Sequence, residues 1–480
     1  MKRNRADTQR RKAERRDAKI ERLEAENRRL RAENSELKTR LEKLERLVAA
    51  LRKDSSTSSK PPSSDIVKPP PDGKKTRKKR KAGGQPGHPR HQRPAFTPDQ
   101  VDEVHDHRLH CCPDCGVRLR AGKEPPRTLQ QAELREKLVD IHEHRSHCQW
   151  CPRCEKNVFA PLPRELKAAG LAGPRLTALV GYLKGACHAS FSTIRKFFRD
   201  VVKLPLSRGY LRKLVNKASL ALEETYQELV GALRSEARLN VDETGHKENG
   251  AKLWTWCFRA ELYTVFRIDE SRSSDVLIDV LGEEFDGVLG CDYFSAYRKY
   301  MADFDVRVQF CLAHLIRDVK FLKTLDKVSQ NFAERLLEKI RALFRVIHRR
   351  DRTTPERFQA RLEKARQEIL KVGKRPPPRS EAKNIAKRFR DHGKAYFEFI
   401  TTPGVEPTNN LAEQAIRFVV IDRKVTQGTR GVSGRQWSER IWTTIAACAQ
   451  QGRPVFQFLH EAISRFFRGQ PAPSLLPDTS

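Results

Sequence analysis

The sequence predicts an α/β domain at the C-terminal end of a basic, helix-rich chain, and three features predict it. From Glu236 the apolar pattern changes from helical to alternating, in the runs "ARLNVDET", "KLWTWCFRA" and "LYTVFRID". Turn signals such as "HKENGA" join these runs into a three-strand meander. A helix, "SSDVLIDVLG", then leads to a fourth strand in "GVLGCDYFSAY" and a fifth at the start of "VRVQFCLAHLIRDVKFL". Three antiparallel strands followed by alternating helix and strand is the order of an RNase H-like fold.

The chain around this domain divides by composition. At 480 residues it exceeds what one core serves. A net charge of +34 and a pI near 10 favour a polyanionic partner, nucleic acid before a membrane surface. The chain lacks an apolar run of about eighteen residues, and "MKRNRADTQRRKAERR" lacks the apolar stretch of a secretion signal. The chain is therefore expected to be soluble and cytoplasmic, with no membrane partner.

Residues 1–53 read as a basic leucine zipper. Leu23, Leu30, Leu37, Leu44 and Leu51 recur at heptad spacing, with Ile20, Asn27, Asn34, Leu41 and Val48 in the complementary positions. Leucine at d with β-branched residues and Asn at a favours a parallel homodimer, because buried Asn pairs satisfy each other only in fixed register. Residues 54–100 turn to Ser, Pro, Gly and Lys, cannot bury a core, and read as a disordered basic linker. Net charges of +9 on residues 1–53 and +8 on 54–94 put half of the chain's excess here, and Lys78, Lys79 and Arg80 are candidate contacts to DNA phosphates.

In residues 101–160, "CCPDCG" and "CQWCPRC" supply two CxxC turns, with Cys151 36 positions after Cys115. Cys112, Cys115, Cys151 and Cys154 fit one tetrahedral Zn²⁺, structural because four protein ligands leave no open position. Cys111 and Cys148 are spare, so the register stays open by one turn, and His110 or His147 could substitute. Residues 161–232 read as helical, with "FSTIRKFFRDVVKLPLSRGYLRKLVNKA" forming two amphipathic helices, the second capped by Ser207. A helix-turn-helix would bring Arg208, Tyr210, Arg212 and Lys213 to DNA, and a plain helical hairpin fits equally well.

Two aspartates sit where an RNase H-like sheet does chemistry: Asp242 at the end of the first strand and Asp292 at the end of the fourth. These strands are neighbours in that fold, so both carboxylates could share a divalent ion, as two-metal phosphodiester chemistry requires. Hard oxygen donors suit Mg²⁺, with Mn²⁺ as substitute. Glu243 is the alternative to Asp242, while Asp286 and Asp303 compete with Asp292.

A charged helical insertion at 325–395 divides the domain into 233–324 and 396–470, and the second part contains "EPTNNLAEQAIR". With Asn410 as N-cap, Glu413 falls at the third helical position, where a carboxylate can reach back to the cap. On the helical wheel Ala412, Ala415, Ile416 and Val419 form the apolar stripe, with Glu413 and Arg417 at its margin. From that edge Glu413 can point at a site beside the sheet as third carboxylate. Glu406, in a loop before Pro407, is a poorer mount.

Together "VDET", "CDYFSAY", "CLAH" with Arg317, and "TNNLAEQAIR" followed by "DRK" resemble the insertion sequence 66 family of DDE transposases. "SSKPPSSD", "GGQPGHP" and the paired CxxC turns are similar to that family's N-terminal half. The resemblance implies a metal-dependent enzyme that cleaves DNA at the ends of its element and joins the freed 3′-hydroxyls to a target, with accessory proteins of the element as further partners. It implies Asp242, Asp292 and Glu413 as the triad, His314 and Arg317 near the site, and Arg423 and Lys424 on phosphate, with Arg417 beside them. After "RK" the chain reads "VTQGTRGVSGRQWSER", where many members carry an Asn-Trp stretch. Two other readings share these features: a zinc and zipper DNA-binding regulator without catalysis, and an RNase H-like nuclease that cuts without joining.

Overall fold

The computed structural model describes residues 2–51, 94–111, 113–118, 120 and 128–476, so Lys78, Lys79, Arg80 and Cys112 lie outside the described residues. The chain forms two compact units, one from 1–69, 161–196 and 206–480, the other from 70–160 and 197–205. Among the described residues no helix is long and apolar enough to cross a membrane.

The first helix, α1 (Lys2–Leu51), is continuous through the heptads, and Ile20, Leu23, Leu30, Leu37 and Leu44 are all exposed along it. In the smaller unit the second CxxC stretch is a hairpin of β1 (Cys148–Cys151) and β2 (Lys156–Phe159), paired from Cys148↔Phe159 to Cys151↔Lys156. The first CxxC stretch is closed by a bridge between Cys111 and Arg118. Both turns pass through the left-handed region just after the second cysteine, at Gly116 (φ 73°) and Glu155 (φ 48°).

From residue 161 come α2 (Arg164–Ala169), α3 (Pro174–Gly185), α4 (Phe191–Asp200), α5 (Arg208–Ala221) and α6 (Glu223–Ala232). Ser207 caps α5, its Oγ accepting the Tyr210 N–H at 3.1 Å. The Tyr210 hydroxyl in turn accepts the Ala172 N–H at 3.0 Å, which ties α5 to the turn before α3.

A five-stranded sheet follows, with β3 (Arg238–Glu248), β4 (Ala251–Arg259), β5 (Thr264–Asp269), α7 (Asp275–Leu281), β6 (Val288–Cys291), α8 (Ser295–Phe304), β7 (Arg307–Phe310) and α9 (Leu312–Leu322) in chain order. The spatial order is β5-β4-β3-β6-β7, antiparallel among the first three and parallel from β3 to β7. Asn249 and Gly250, with φ of 48° and 89°, make the two-residue turn between β3 and β4, a conformation that matches the twist of a hairpin.

Three expectations need correction here. Asp242 lies within β3, not at its end, because β4 pairs with β3 from Asn240↔Arg259 to Glu248↔Ala251 and keeps the strand extended. The residues after Asp292 form α8, not a continued strand, burying Ala296, Tyr297 and Tyr300 at helical spacing. Between α9 and the last helices lie α10 (Lys327–Ile347), α11 (Pro355–Gly373) and α12 (Ser380–His392), and α13 (Glu398–Thr401), α14 (Asn410–Thr426), α15 (Val432–Gln450) and α16 (Val455–Arg468) follow. However, α16 packs on α2, α3 and α5, so the stretch 396–470 does not belong to the sheet alone.

Strand periodicity sorts the β3 side chains. Leu239, Val241 and Glu243 are buried on one face, and Asn240, Asp242 and Thr244 alternate onto the other. Glu243 is fully committed on its own face: Arg272 donates to it through Nε at 2.9 Å and Nη2 at 2.6 Å, and the Tyr297 hydroxyl donates as well. Arg272→Met strands that buried carboxylate and is expected to cost about 3 kcal/mol of stability. Thermal denaturation checks this, and adding Glu243→Gln to the same variant should restore most of the loss.

Candidate active site

Register brings the two aspartates together. β3 and β6 pair through Asn240↔Gly290, so Asp242 and Asp292 each stand two residues beyond the last pair, level with one another where the parallel ladder ends. Gly290 permits this approach, since a Cβ there would meet Asn240 Nδ2 at 2.6 Å. One oxygen of each carboxylate is fixed by the backbone: Asp242 accepts the Glu243 N–H at 2.9 Å, and Asp292 accepts the Phe294 N–H at 2.8 Å.

The two aspartates sit in a corner crowded with carboxylates. Burial pushes the Asp242 carboxyl well above the carboxylate range, and the charges of Glu243, Asp292 and Glu413 push it further against the Glu243 N–H. Burial, then Glu243, raises Asp292 to about 6 against the Phe294 N–H and Arg272. A folded pKa above the unfolded value means that protonated Asp292 favours the fold. That contribution is complete below about pH 4 and is lost as pH rises through 6, a change of about 3 kcal/mol without metal. Asp292→Asn, neutral at every pH, should therefore melt above the native chain at pH 7.5 in chelator and close to it at pH 4. A lower melting temperature at both pH values would show that the charge is not strained.

Glu413 is delivered by α14 in a way that the local sequence does not show. The N-cap is Asn409, one residue before the expected Asn410, so Glu413 is the fourth helical residue, not the third. The capping box does not form, because the Asn409 side chain is used elsewhere. Its Nδ2 donates to the Val241 carbonyl at 2.7 Å, its Oδ1 accepts Asn240 Nδ2 at 2.9 Å, and its N–H donates to Cys311 Sγ at 3.1 Å. This buried residue ties the start of α14 to β3 and to the start of α9, which fixes where Glu413 begins.

The Glu413 carboxylate turns to α9. Arg317 Nη2 donates to Oε2 at 3.3 Å, and His314 Nδ1 stands 3.5 Å from Oε1. Arg317 Nη1 lies 3.3 Å from His314 Nε2, which leaves the imidazole proton on Nδ1, facing Glu413. Burial lowers the His314 pKa more than Glu413 raises it, so the ring is neutral near pH 7. His314 Nδ1 and Glu413 Oε1 are both buried without a hydrogen-bond partner.

The donor set fits a cation at two levels. Among the described residues, the ligand atoms that converge within 4.8 Å are those of Cys311, His314 and Glu413, and Asp242 and Asp292 lie outside that cluster. Burial raises the Cys311 thiol to about 11, which keeps it protonated at neutral pH and a poor partner for a hard ion. The hard donors in this region are the two aspartates and Glu413, and the Glu413 oxygen without a hydrogen-bond partner and the raised carboxyls of the aspartates are what a divalent cation would satisfy. In the smaller unit the Cys151 thiol is lowered by N–H groups and the thiol of Cys154, and by the Arg153 N–H, the backbone cradle a metal-bound thiolate uses.

The remaining expected contacts separate. Arg417 and Lys424 are exposed on α14, whereas Arg423 turns inward and donates to Thr244 Oγ1 at 3.2 Å, on the Asp242 face of β3. Sequence reasoning missed Asn409 as positioning residue and the Arg272 and Tyr297 partners of Glu243. The available signal was the doubled "NN", of which only one residue can be the cap.

Residues 169–436 match the family profile described as Transposase IS66 family. Residues 10–94 match a family of unknown function. A protein of Sinorhizobium fredii, described as uncharacterized protein y4qI, is 24% identical over 352 residues, which is 66% of this chain and 63% of that protein. The chain thus spans less than two thirds of the length of this relative. The profile match covers more than half of the chain and includes all five strands of the larger sheet with Asp242, Asp292 and Glu413. The chain belongs to the IS66 family of transposases.

Proposed function

We propose that this chain is a DDE transposase that cuts DNA at the ends of its element and joins the 3′-hydroxyls to a target. The observation that carries the reading is the shared register of Asp242 and Asp292 at the end of the β3–β6 ladder, with the charge of Glu413 felt by Asp242. The strand order and the helical insertion support an RNase H-like domain. Asp242, Asp292 and Glu413 would hold divalent ions, Mg²⁺ or in its place Mn²⁺, which supply charge to the attacking and leaving oxygens of an in-line displacement.

The chain's own residues do the positioning. Asn409 sets the start of α14, Arg317 orients the Glu413 carboxylate with His314 beside it, and Arg423 is held against Thr244 of β3. Arg417, Lys424 and the basic arm with Lys78, Lys79 and Arg80 would follow the DNA backbone. Water attacks first and the freed 3′-hydroxyl second, with no covalent protein intermediate.

The exposed apolar stripe of α1 supports a homodimer, which suits two ends handled together. Cys112, Cys115, Cys151 and Cys154 would hold a structural Zn²⁺. The β1–β2 hairpin favours Cys151 over Cys148 as ligand, since Cys151 and Cys154 flank the turn. Cys151→Ser is expected to lose about one zinc per chain, measured by metal analysis of the purified protein.

The test is incubation of the full chain and Mg²⁺ with duplexes carrying the element's ends and a target plasmid. Joined products are expected. Cutting without joining would reduce the protein to a nuclease, and intact DNA would overturn the reading.

A further inference from the structure

Away from the carboxylates, a cavity of about 440 Å³ opens between α3 and α5 on one side and α14 and α15 on the other. It is within the roughly 300–1,000 Å³ of small-ligand sites. Its wall carries Lys184, Arg212 and Arg430, and none of the three has an ion pair or side-chain hydrogen bond among the described residues. Lys184 is half-buried, desolvation lowers its pKa against the pull of Asp422, and its ammonium lies 5.7 Å from the Phe191 ring. Asp422 also lines the cavity, with its Oδ1 2.8 Å from His188 Nδ1, and it makes no ion pair with Lys184 among the described residues. Three cations against the single carboxylate of Asp422, gathered in a concave site, leave an excess of positive charge that favours a negatively charged ligand.

The rest of the lining says which one. Phe191 and Trp437 give the cavity an aromatic wall, and Gly428, Thr429 and Arg430 line it together with Ser433 and Gly434 from the first turn of α15. Gly428 could not be replaced there, since at φ 93° a Cβ would meet the Lys247 carbonyl oxygen at 2.1 Å. Cations beside aromatic faces bind nucleotides without regard to sequence. The cavity also lies on the helix that carries Glu413: from Glu413 to Val425 is about 18 Å of helix rise, the length of about five nucleotides of one strand.

We propose that this cavity takes a single unstacked nucleotide of the bound DNA strand, its phosphate held by Lys184, Arg212 and Arg430 and its base beside Phe191 and Trp437. This rests on the transposase reading for its DNA, but not on the carboxylates. A base lifted from the stack and held at this distance fixes the strand's position relative to the cut.

The experiment measures binding of the full chain to a labelled eight-residue oligothymidylate and to an abasic oligomer of the same length, by fluorescence anisotropy at one salt concentration. The base-bearing oligomer is expected to bind about tenfold more tightly. Lys184→Met and Arg430→Ser, the second exposed and tolerant, should each cut that preference to about twofold or less, while Asp292→Asn keeps it. Equal binding of the two oligomers by the native chain, or full preference in both pocket variants, overturns the proposal. Loss of base preference with intact cleavage sinks only the pocket, and intact preference without cleavage sinks only the catalytic reading.

Discussion

Glu413→Gln is expected to slow strand cleavage by ~10³-fold or more while changing the affinity for element ends by no more than about twofold. Glutamine keeps the size of the side chain and an oxygen able to accept from Arg317 Nη2, so α14 and its packing should remain. What disappears is the charge that Asp242 feels and the buried oxygen that lacks a partner. Single-turnover cleavage of end-labelled DNA, read beside a gel-shift titration, separates the two effects. Near-native cleavage would remove Glu413 from the site and leave its bond to Arg317 as an ordinary tie between α14 and α9.

Asn409→Leu is expected to act on stability and rate together. The side chain is almost wholly buried and satisfies the Val241 carbonyl and the Asn240 amide, so leucine leaves a buried carbonyl and a half-buried amide unpaired, at about 2–4 kcal/mol. Because Asn409 also fixes the first turn of α14, a shift of Glu413 by about 1 Å should cost a further ~10²-fold in cleavage. Thermal denaturation gives the first number and single-turnover cleavage the second. A lower melting temperature with an unchanged rate would make Asn409 a fastening of the helix that does not aim Glu413.

Much of the fold was legible because its signals are local. The alternation in "LNVDET", the Asn-Gly turn and the two parallel strand runs gave a five-stranded sheet that the structure contains. The period-two pattern also decides a choice left open in the sequence: Glu243, the alternative to Asp242, points to the opposite face and is taken by Arg272 and Tyr297. What escaped depends on partners distant in sequence. The true end of β3 is set by β4, α8 was hidden because its aromatic residues read as a strand, and the role of Asn409 exists only when α14 meets β3. An N-cap and a cross-element tie draw on the same amide, and no local pattern shows which of them receives it.

The central claim is that these carboxylates perform metal-dependent chemistry on DNA, and a change of ligand atom tests it most directly. Asp292→Cys puts a soft sulfur where a hard oxygen stood, a donor that Mg²⁺ accepts poorly and that Mn²⁺ or Cd²⁺ accepts better. In single-turnover cleavage the variant should be inert in Mg²⁺ and regain activity in Mn²⁺ or Cd²⁺, under conditions where the native chain works in Mg²⁺. Activity of the variant in Mg²⁺, or no recovery with any of the softer ions, would contradict the account.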